Sequence, residues 1–288
     1  MNTTLTFWGT RGSIPTPGPH TTRYGGNTPC LSIAGPADRL LILDAGTGLR
    51  PLGHELMRQR RAPLAAQILL SHTHWDHIQG LPFFKPLSAR GNTFQVFGAA
   101  QEGVPLEEIL GRQMDPMVFP VPLHALAATI MVTEVAEGDV PVDGFRVRAF
   151  RLRHPGTTLG FRLAPSTGGR EIAYLTDNEL GPGGTYPVGP DWRRRLVRFL
   201  EGTDTLIHDA MYADRISEAR SGWGHSTPKQ AVDLAAEAGC RSLILFHHEP
   251  EHEDDALDRL VRQTRTYARE AAPSLTVEAA AEGMQVPL

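Results

Sequence analysis

Residues 66–77 read AQILLSHTHWDH, an apolar run that is followed at once by three histidines and an aspartate. The apolar run predicts a buried strand, so the four polar side chains leave its end on a turn and can point into one cavity. Imidazole and carboxylate groups are costly to bury without partners, and a metal ion is the simplest partner that they can share. A single zinc ion takes three or four protein ligands, so using His72, His74, Asp76 and His77 together calls for two ions.

Three further candidate ligands follow apolar runs elsewhere in the chain. His154 stands in the segment RLRHP, Asp177 in AYLTDN and His247 in LILFHH. Functional side chains at the ends of rigid strands commonly converge on one site, so we expect these residues to join the first four. His248 competes with His247 for the same role, and we favour His247 because it comes first after the strand.

The order of the segments predicts the architecture. The N-terminal part reads as a β-meander of short strands, and helices and strands then alternate in each half of the chain. Two mixed β-sheets packed face to face with helices outside fit that order, so we predict an α/β fold of four layers, αββα. The chain has 288 residues and 41% hydrophobic content, enough for such a core. We expect one domain over residues 1–288, with the Gly/Pro segment 181–190 as a turn or a rim of the site.

Charge and composition narrow the partners. A net charge of −4 gives no overall basic field, so a long nucleic acid is not the expected partner. Residues 1–8 alternate polar and apolar side chains, unlike a secretion signal, and we expect a cytoplasmic protein with no membrane span. Cys30 and Cys240 have no metal-ligand spacing, and we expect reduced, buried thiols.

These motifs together resemble the metallo-β-lactamase superfamily of hydrolases, in which HxHxDH, a later His, a later Asp and a last His follow in this order. The resemblance covers nearly the whole chain. It implies two metal ions per chain, with zinc favoured by His at position 74 and with manganese or iron as substitutes. By analogy with other members, a homodimer is expected. The ligand set that the resemblance implies is His72, His74 and His154 for the first ion, Asp76, His77 and His247 for the second, and Asp177 as a bridge. The loop DAGTG, residues 44–48, resembles the loop under the metals, where Asp44 would orient a ligand histidine.

A second motif bears on the substrate. The segment GHSTPKQA, which contains His225, resembles the His-Ser-Thr motif of ribonuclease Z and its phosphodiesterase relatives. In those enzymes a second segment provides an acidic residue that supports the motif histidine. The segment LIHDAMY resembles it, and its acidic residue is Asp209. His225 also lies just before a helix N-terminus that Thr227 and Pro228 predict. A helix N-terminus offers backbone N–H donors and a favourable dipole to an anion. We expect Asp209 to fix the tautomer of His225, which then protonates the leaving oxygen. A purely structural role for both residues stays open.

Departures from ribonuclease Z limit the substrate. Bacterial members insert a long RNA-gripping arm between the residues matched by His154 and Asp177, where this chain has room only for a hairpin, 157–174. The segment IQGL after the metal motif resembles the phosphoribosyl 1,2-cyclic phosphate phosphodiesterase branch. Trp75 either lines the pocket or packs in the core, and Arg11 and Arg23 either contact a phosphate or serve the structure.

The sequence therefore predicts a dinuclear, metal-dependent phosphodiesterase with a small phosphodiester substrate, cyclic nucleotides and cyclic sugar phosphates being the first candidates. Asp76, His225 and Asp209 are the predicted catalytic residues. Three alternatives stay open: an arm-less, ribonuclease Z-like RNA endonuclease, a thioester or lactone hydrolase, and a binding protein without turnover.

Overall fold

Two seven-stranded mixed sheets pack face to face and have helices on their outer sides. The computed structural model describes residues 3–35, 39–59, 63–213 and 220–288. Within those residues the strands are β1 (Thr4–Gly9), β2 (Cys30–Ala34), β3 (Leu40–Leu43), β4 (Ala65–Leu69), β5 (Thr93–Gly98), β6 (Thr129–Glu134), β7 (Gly138–Val140), β8 (Phe145–Arg151), β9 (Leu159–Pro165), β10 (Ile172–Leu175), β11 (Thr205–Asp209), β12 (Ser242–Phe246), β13 (Thr276–Ala279) and β14 (Gln285–Pro287).

Strand direction determines where side chains can meet. The first sheet has the order β14-β1-β2-β3-β4-β5-β6, and the second has β13-β12-β11-β10-β9-β8-β7. Strands β3 to β6 are parallel, as are β10 to β13, while the others pair antiparallel. Loops that leave the carboxyl ends of parallel strands gather at one edge of a sheet, which is where ligands bind in such folds. The predicted ligand loops follow β4, β10 and β12.

The helices pack outside the sheets. In the described ranges their bounds are α1 (Leu49–Arg58), α2 (Trp75–Ile78), α3 (Leu106–Arg112), α4 (Trp192–Leu200), α5 (Pro228–Glu237) and α6 (Asp254–Ala271), and short 3₁₀ helices span Leu81–Phe83, Lys85–Ser88 and Leu123–Ala125. The predicted start of α5 is confirmed in full: Thr227 accepts from the N–H of Gln230, whose side chain accepts from the N–H of Thr227. This capping box fixes the loop that carries His225.

Three apolar clusters separate the layers. One lies between the sheets and includes Phe7, Phe161 and Phe246. A second packs α4 and α5 against the second sheet, and a third packs α1 and α3 against the first sheet. The predicted four-layer αββα architecture is therefore confirmed.

Three short strands escaped prediction, namely β7, β13 and β14. Strands β7 and β14 have only three residues each, too few for an alternating pattern to be recognised. The N-terminal meander was predicted correctly, since β1, β2 and β3 pair antiparallel in succession. Cys30 and Cys240 are free and buried, as expected, and burial raises the pKa of Cys240 to about 11. No helix in the described ranges combines the length and the apolar character needed to cross a bilayer.

Candidate metal centre

Four predicted ligands meet in a first group, here called cluster one: His72, His74, His154 and Asp177. Asp177 Oδ2 lies 3.6 Å from His72 Nε2 and 3.6 Å from His154 Nε2. His154 Nε2 also faces His74 Nδ1 at 2.9 Å. The potential ligand atoms of the four residues all lie within 4.8 Å of one another.

A second group, cluster two, contains Asp76, His77 and His247. Asp76 Oδ2 lies 3.2 Å from the Nε2 atoms of both histidines. Asp177 reaches this cluster with its other oxygen, because its Oδ1 is 3.2 Å from His77 Nε2 and 3.1 Å from His247 Nε2. The two oxygens of Asp177 thus face two different histidine groups, as a bridging carboxylate would.

These distances suit metal ions. Ligand atoms about 2.0–2.2 Å from one tetrahedral ion lie about 3.3–3.6 Å apart, close to the separations around Asp177. The Nε2 atoms of His72 and His77 are buried and have no hydrogen-bond partner. An orphaned buried nitrogen costs free energy, so a cation that accepts these lone pairs is the partner that the donor set fits.

The outer nitrogens hold the rings in position. His77 Nδ1 donates to Asp44 Oδ2 at 2.9 Å, and His154 Nδ1 donates to the carbonyl of Gly224 at 3.0 Å. His72 Nδ1 lies 3.1 Å from the hydroxyl of Ser71. With each Nδ1 engaged in this way, Nε2 is left to face the cluster, the usual arrangement around metal-binding histidines. The expected contact between Asp44 and a ligand histidine is present.

The electrostatics favour ligation. Burial lowers the pKa of His72 well below its usual value and that of His154 to about 4, so both rings are neutral. Burial alone would raise the pKa of Asp177, but the neighbouring His247, His77 and His72 hold it well below its usual range. At His77, burial lowers the pKa, yet the carboxylates of Asp76, Asp177 and Asp44 raise it well above the ordinary value. The site attracts positive charge.

The backbone is strained where the ligands sit. Five non-glycine residues in the described ranges have positive φ, and four of them contact the site: Ser13 at 60°, Asp44 at 58°, Asp177 at 47° and His247 at 60°. Such conformations are uncommon for side-chain-bearing residues and cluster at functional sites. The N–H of Ser13 donates to Asp76 Oδ2 at 2.8 Å, a contact that sequence patterns did not reveal.

Two glycines allow the close packing of ligand rings. A Cβ added at Gly12 would lie 2.5 Å from Cε1 of His247. At Gly224, whose φ is +89°, an added Cβ would lie 1.9 Å from Nδ1 of His154. Both loops can therefore approach the metal centre only because these positions lack a side chain.

His225 and Asp209 meet beside cluster two. His225 Nδ1 donates to Asp209 Oδ2 at 2.6 Å, and the His225 ring stacks on that of His247 with 5.0 Å between centroids. The other Asp209 oxygen accepts from the N–H groups of Ser226 and Met211, both at 3.1 Å. Burial lowers the pKa of His225, but the charge and hydrogen bond of Asp209 outweigh it and raise the pKa to about 9.

Three backbone donors at the start of α5 already have partners within the protein, so fewer remain for an anion than we expected. The N–H of Ser226 donates to Asp209. The N–H of Thr227 and that of Gln230 donate within the capping box, and Pro228 has no N–H. The His225 side chain is the group of this segment that lies beside cluster two.

A buried carboxylate that sequence reasoning missed organises the neighbouring loop. Glu179 is 3% exposed and accepts from the N–H groups of Gly222 at 2.9 Å and Gly224 at 3.0 Å and from the hydroxyl of Tyr186 at 2.5 Å. Gly224 in turn holds His154. Tyr186 belongs to the Gly/Pro segment 181–190, which thus reaches the rim of cluster one.

The structure shows the surroundings of several other residues that the sequence had left open. His248 turns away, since its Nε2 donates to the carbonyl of Ala280 at 2.9 Å. Arg11 is fully buried and donates to the carbonyls of Gly25 and His252. Arg23 pairs at the surface with Asp255 and Asp258. Trp75 is 69% exposed, which excludes a packed core ring.

Comparisons with known proteins agree with this geometry. The family model described as beta-lactamase superfamily domain matches residues 39–248. The ribonuclease Z of Myxococcus xanthus is 26% identical over 99% of this chain and 97% of its own length. The ribonuclease Z of Natronomonas pharaonis is 25% identical over 86% of this chain and 87% of that protein.

Solved structures share the fold. The metallo-beta-lactamase fold protein YhfI from Bacillus subtilis superposes with a TM-score of 0.68 at 19% identity, over 99% of both chains. A diphosphatase from the PhnP family gives 0.66 at 19% identity, over 99% of this chain and 98% of its own. The family match covers most of the chain and every candidate ligand from His72 to His247, so the protein belongs to the metallo-β-lactamase superfamily of metal-dependent hydrolases.

Proposed function

We propose that the protein is a phosphodiesterase with two zinc ions, acting on a small phosphodiester. One observation carries the proposal: the two oxygens of Asp177 face two histidine groups, and the His225–Asp209 pair lies directly beside them. Cluster one would hold one ion and cluster two the other, and Asp177 would serve both. When bound, such ions polarise a phosphoryl group and supply an activated water.

The protein's own groups would do the remaining work. Asp76 would hold both its metal and the position of the attacking water, and the N–H of Ser13 keeps that carboxylate in place. His225, fixed at Nδ1 by Asp209, would carry a proton on Nε2 and give it to the leaving oxygen. General acid catalysis of this kind contributes about 10²- to 10⁴-fold.

An RNA endonuclease without an arm is the second candidate, because the curated relatives at 25–26% identity are named ribonuclease Z. The hairpin of β9 and β10 runs directly from Pro165 to Ile172, so that connection supplies no RNA-gripping arm. Binding of RNA that weakens steeply with salt would favour this candidate over a small substrate.

Hydrolysis of bis(p-nitrophenyl) phosphate tests the proposal. Protein stripped by chelation and then loaded with zinc or manganese is compared with the stripped sample, and bound metal is counted by mass spectrometry. We expect turnover only with metal and about two zinc ions per chain. No turnover with metal bound would contradict phosphodiester chemistry and favour a thioester or lactone substrate, or a binding role.

The acid role has its own test. His225→Ala is expected to lower turnover by about 10²-fold or more while zinc content stays the same. His124, which lies in the 3₁₀ helix Leu123–Ala125, offers the matched control, His124→Ala. Near-normal turnover of His225→Ala on a diester with a poor leaving group would contradict the role.

A further inference from the structure

Two tryptophans that are next in sequence to residues of the metal centre are exposed to solvent, although indole rings usually bury most of their surface. Trp75 is 69% exposed and Trp223 is 59% exposed. Trp75 lies between the candidate ligands His74 and Asp76, and Trp223 immediately precedes Gly224. Neither side chain is needed to fill the core, and exposed aromatic groups beside a site commonly mark a binding surface.

The two indoles belong to the opposite ends of one short chain of contacts. Trp75 follows His74, whose Nδ1 lies 2.9 Å from His154 Nε2. His154 Nδ1 then donates at 3.0 Å to the carbonyl of Gly224, the neighbour of Trp223. A phosphoryl group held at cluster one would therefore have a tryptophan on each of the two loops that meet there.

Both tryptophans project from backbone that is held in place. Trp75 opens α2, where the N–H of Gln79 donates to its carbonyl at 2.8 Å. The segment of Trp223 is tied down by Glu179, which binds the N–H groups on either side, at Gly222 and Gly224. Arg220 lies 5.5 Å from the Trp223 ring centroid. Rigid aromatic side chains on fixed backbone lose little conformational entropy when a ligand binds.

We propose that Trp75 and Trp223 stack against a flat heteroaromatic ring of the substrate, which makes the substrate a nucleotide diester rather than a sugar phosphate. The proposal rests on the phosphodiesterase function proposed above and narrows its substrate class. An indole face stacks on any nucleobase because every base has a π-face, whereas a small sugar phosphate offers no π-face to either indole. Base–aromatic stacking is typically worth about 5- to 150-fold in binding.

The test compares two substrates that differ only in the base. These are thymidine 5′-(p-nitrophenyl) phosphate and its abasic analogue, in which hydrogen replaces thymine, so the leaving group is the same. We expect zinc-loaded protein to favour the thymidine compound by about 5-fold or more in kcat/KM. Trp75→Ala or Trp223→Ala should bring that ratio of kcat/KM values toward one, and Trp75→Phe or Trp223→Phe should restore part of the preference. The control Met131→Ala, at a half-exposed position on β6, should leave the ratio unchanged.

The outcomes separate the two proposals. Turnover of both substrates with no preference, or a preference that neither alanine variant alters, would overturn the stacking role and leave phosphodiester chemistry standing. Failure to hydrolyse either substrate would count against the proposed function. Calorimetric binding of thymidine 5′-phosphate and its abasic analogue then still tests stacking: equal affinities, or affinities unchanged in both alanine variants, would overturn it.

Discussion

Cluster one and cluster two use the same kinds of ligand, but they are enclosed in different ways. All three residues of cluster two are buried, whereas His74 of cluster one is exposed. Behind cluster two lies Asp44, which accepts from the Ser71 hydroxyl and from the Tyr174 hydroxyl as well as from His77. Cluster one is closed by a surface loop that Glu179 holds.

The two ions would therefore depend on different parts of the molecule. Ligands of cluster two are oriented by groups of the core, so their loss should affect folding as well as binding. In cluster one, His154 is oriented by loop backbone, so loosening that loop should affect one ion with little effect on the fold.

The largest effect is expected for Asp177→Asn, because this carboxylate contacts both clusters. Asn also tolerates the left-handed backbone of this position, so the change removes charge without adding strain. We expect zinc to fall below two ions per chain and diester hydrolysis to fall by more than the about 10- to 100-fold typical of outer partners. Metal counting and initial rates measure both effects.

The control for that change is Asp143→Asn, at a carboxylate that is 74% exposed and pairs with Arg39. It should leave metal content and rate unchanged. Two zinc ions retained by the Asp177 variant would show that the carboxylate does not bridge.

A smaller effect is expected for Asp44→Asn, which weakens the support of cluster two. One zinc ion should bind about 10- to 100-fold more weakly. The free energy of unfolding of the metal-free protein should fall by about 1–3 kcal/mol, because donors that surround Asp44 lose a charged acceptor. Urea unfolding with and without zinc measures this. Unchanged stability of the metal-free protein would contradict the coupling of cluster two to the core.

For cluster one, the corresponding change is Glu179→Gln. It should weaken the binding of one zinc ion by about 10-fold and leave the affinity for the other unchanged, because only the loop that holds His154 is loosened. Competition with a zinc indicator resolves the two affinities. Glu278→Gln, on an exposed position of β13, is the control. Equal weakening of both ions would mean that Glu179 supports the fold at large.

The smallest effect is expected for Arg23→Ala, because the side chain of Arg23 pairs with surface carboxylates that belong to neither cluster. Its ion pairs with Asp255 and Asp258 are exposed and screened by solvent, so the free energy of unfolding should barely change. The kcat/KM for diester hydrolysis should stay the same. A fall of 10-fold or more in kcat/KM would show that Arg23 reaches the substrate after all.

Much of the fold could be predicted, because local signals carried it. The apolar runs at β4, β10 and β12 are each followed by polar residues that are costly to bury without a partner. Each run therefore predicted both a strand and a candidate metal ligand. The capping box at Thr227 is likewise readable within four residues. The order of the helical and strand segments indicated the four layers, and the order of ligands along the chain indicated the superfamily.

Long-range contacts could not be predicted in the same way. The sequence left Arg11 open to a phosphate contact or a structural role, and in the structure its Nε and Nη1 atoms donate to carbonyls, one of them at His252, 241 positions away in the sequence. Glu179 follows Asp177 by two residues and has no motif of its own, so its hold on Gly222 and Gly224 emerged only in three dimensions. Of the backbone donors expected to be free at the start of α5, those of Ser226, Thr227 and Gln230 already have partners, one of them the distant Asp209.

The tie between the two ends of the chain has a consequence for biosynthesis. The backbone of Arg11 bridges to His248, and the N–H of Gly12 donates to the carbonyl of His248, so the first loop holds the segment of the last ligand. A contact between residues so distant in sequence raises contact order and forms late in folding. At about 5–20 residues per second, the ribosome needs roughly 12–50 s to make the intervening chain. A metal centre that includes His247 can therefore be complete only after residue 248 has been synthesised and this contact has formed.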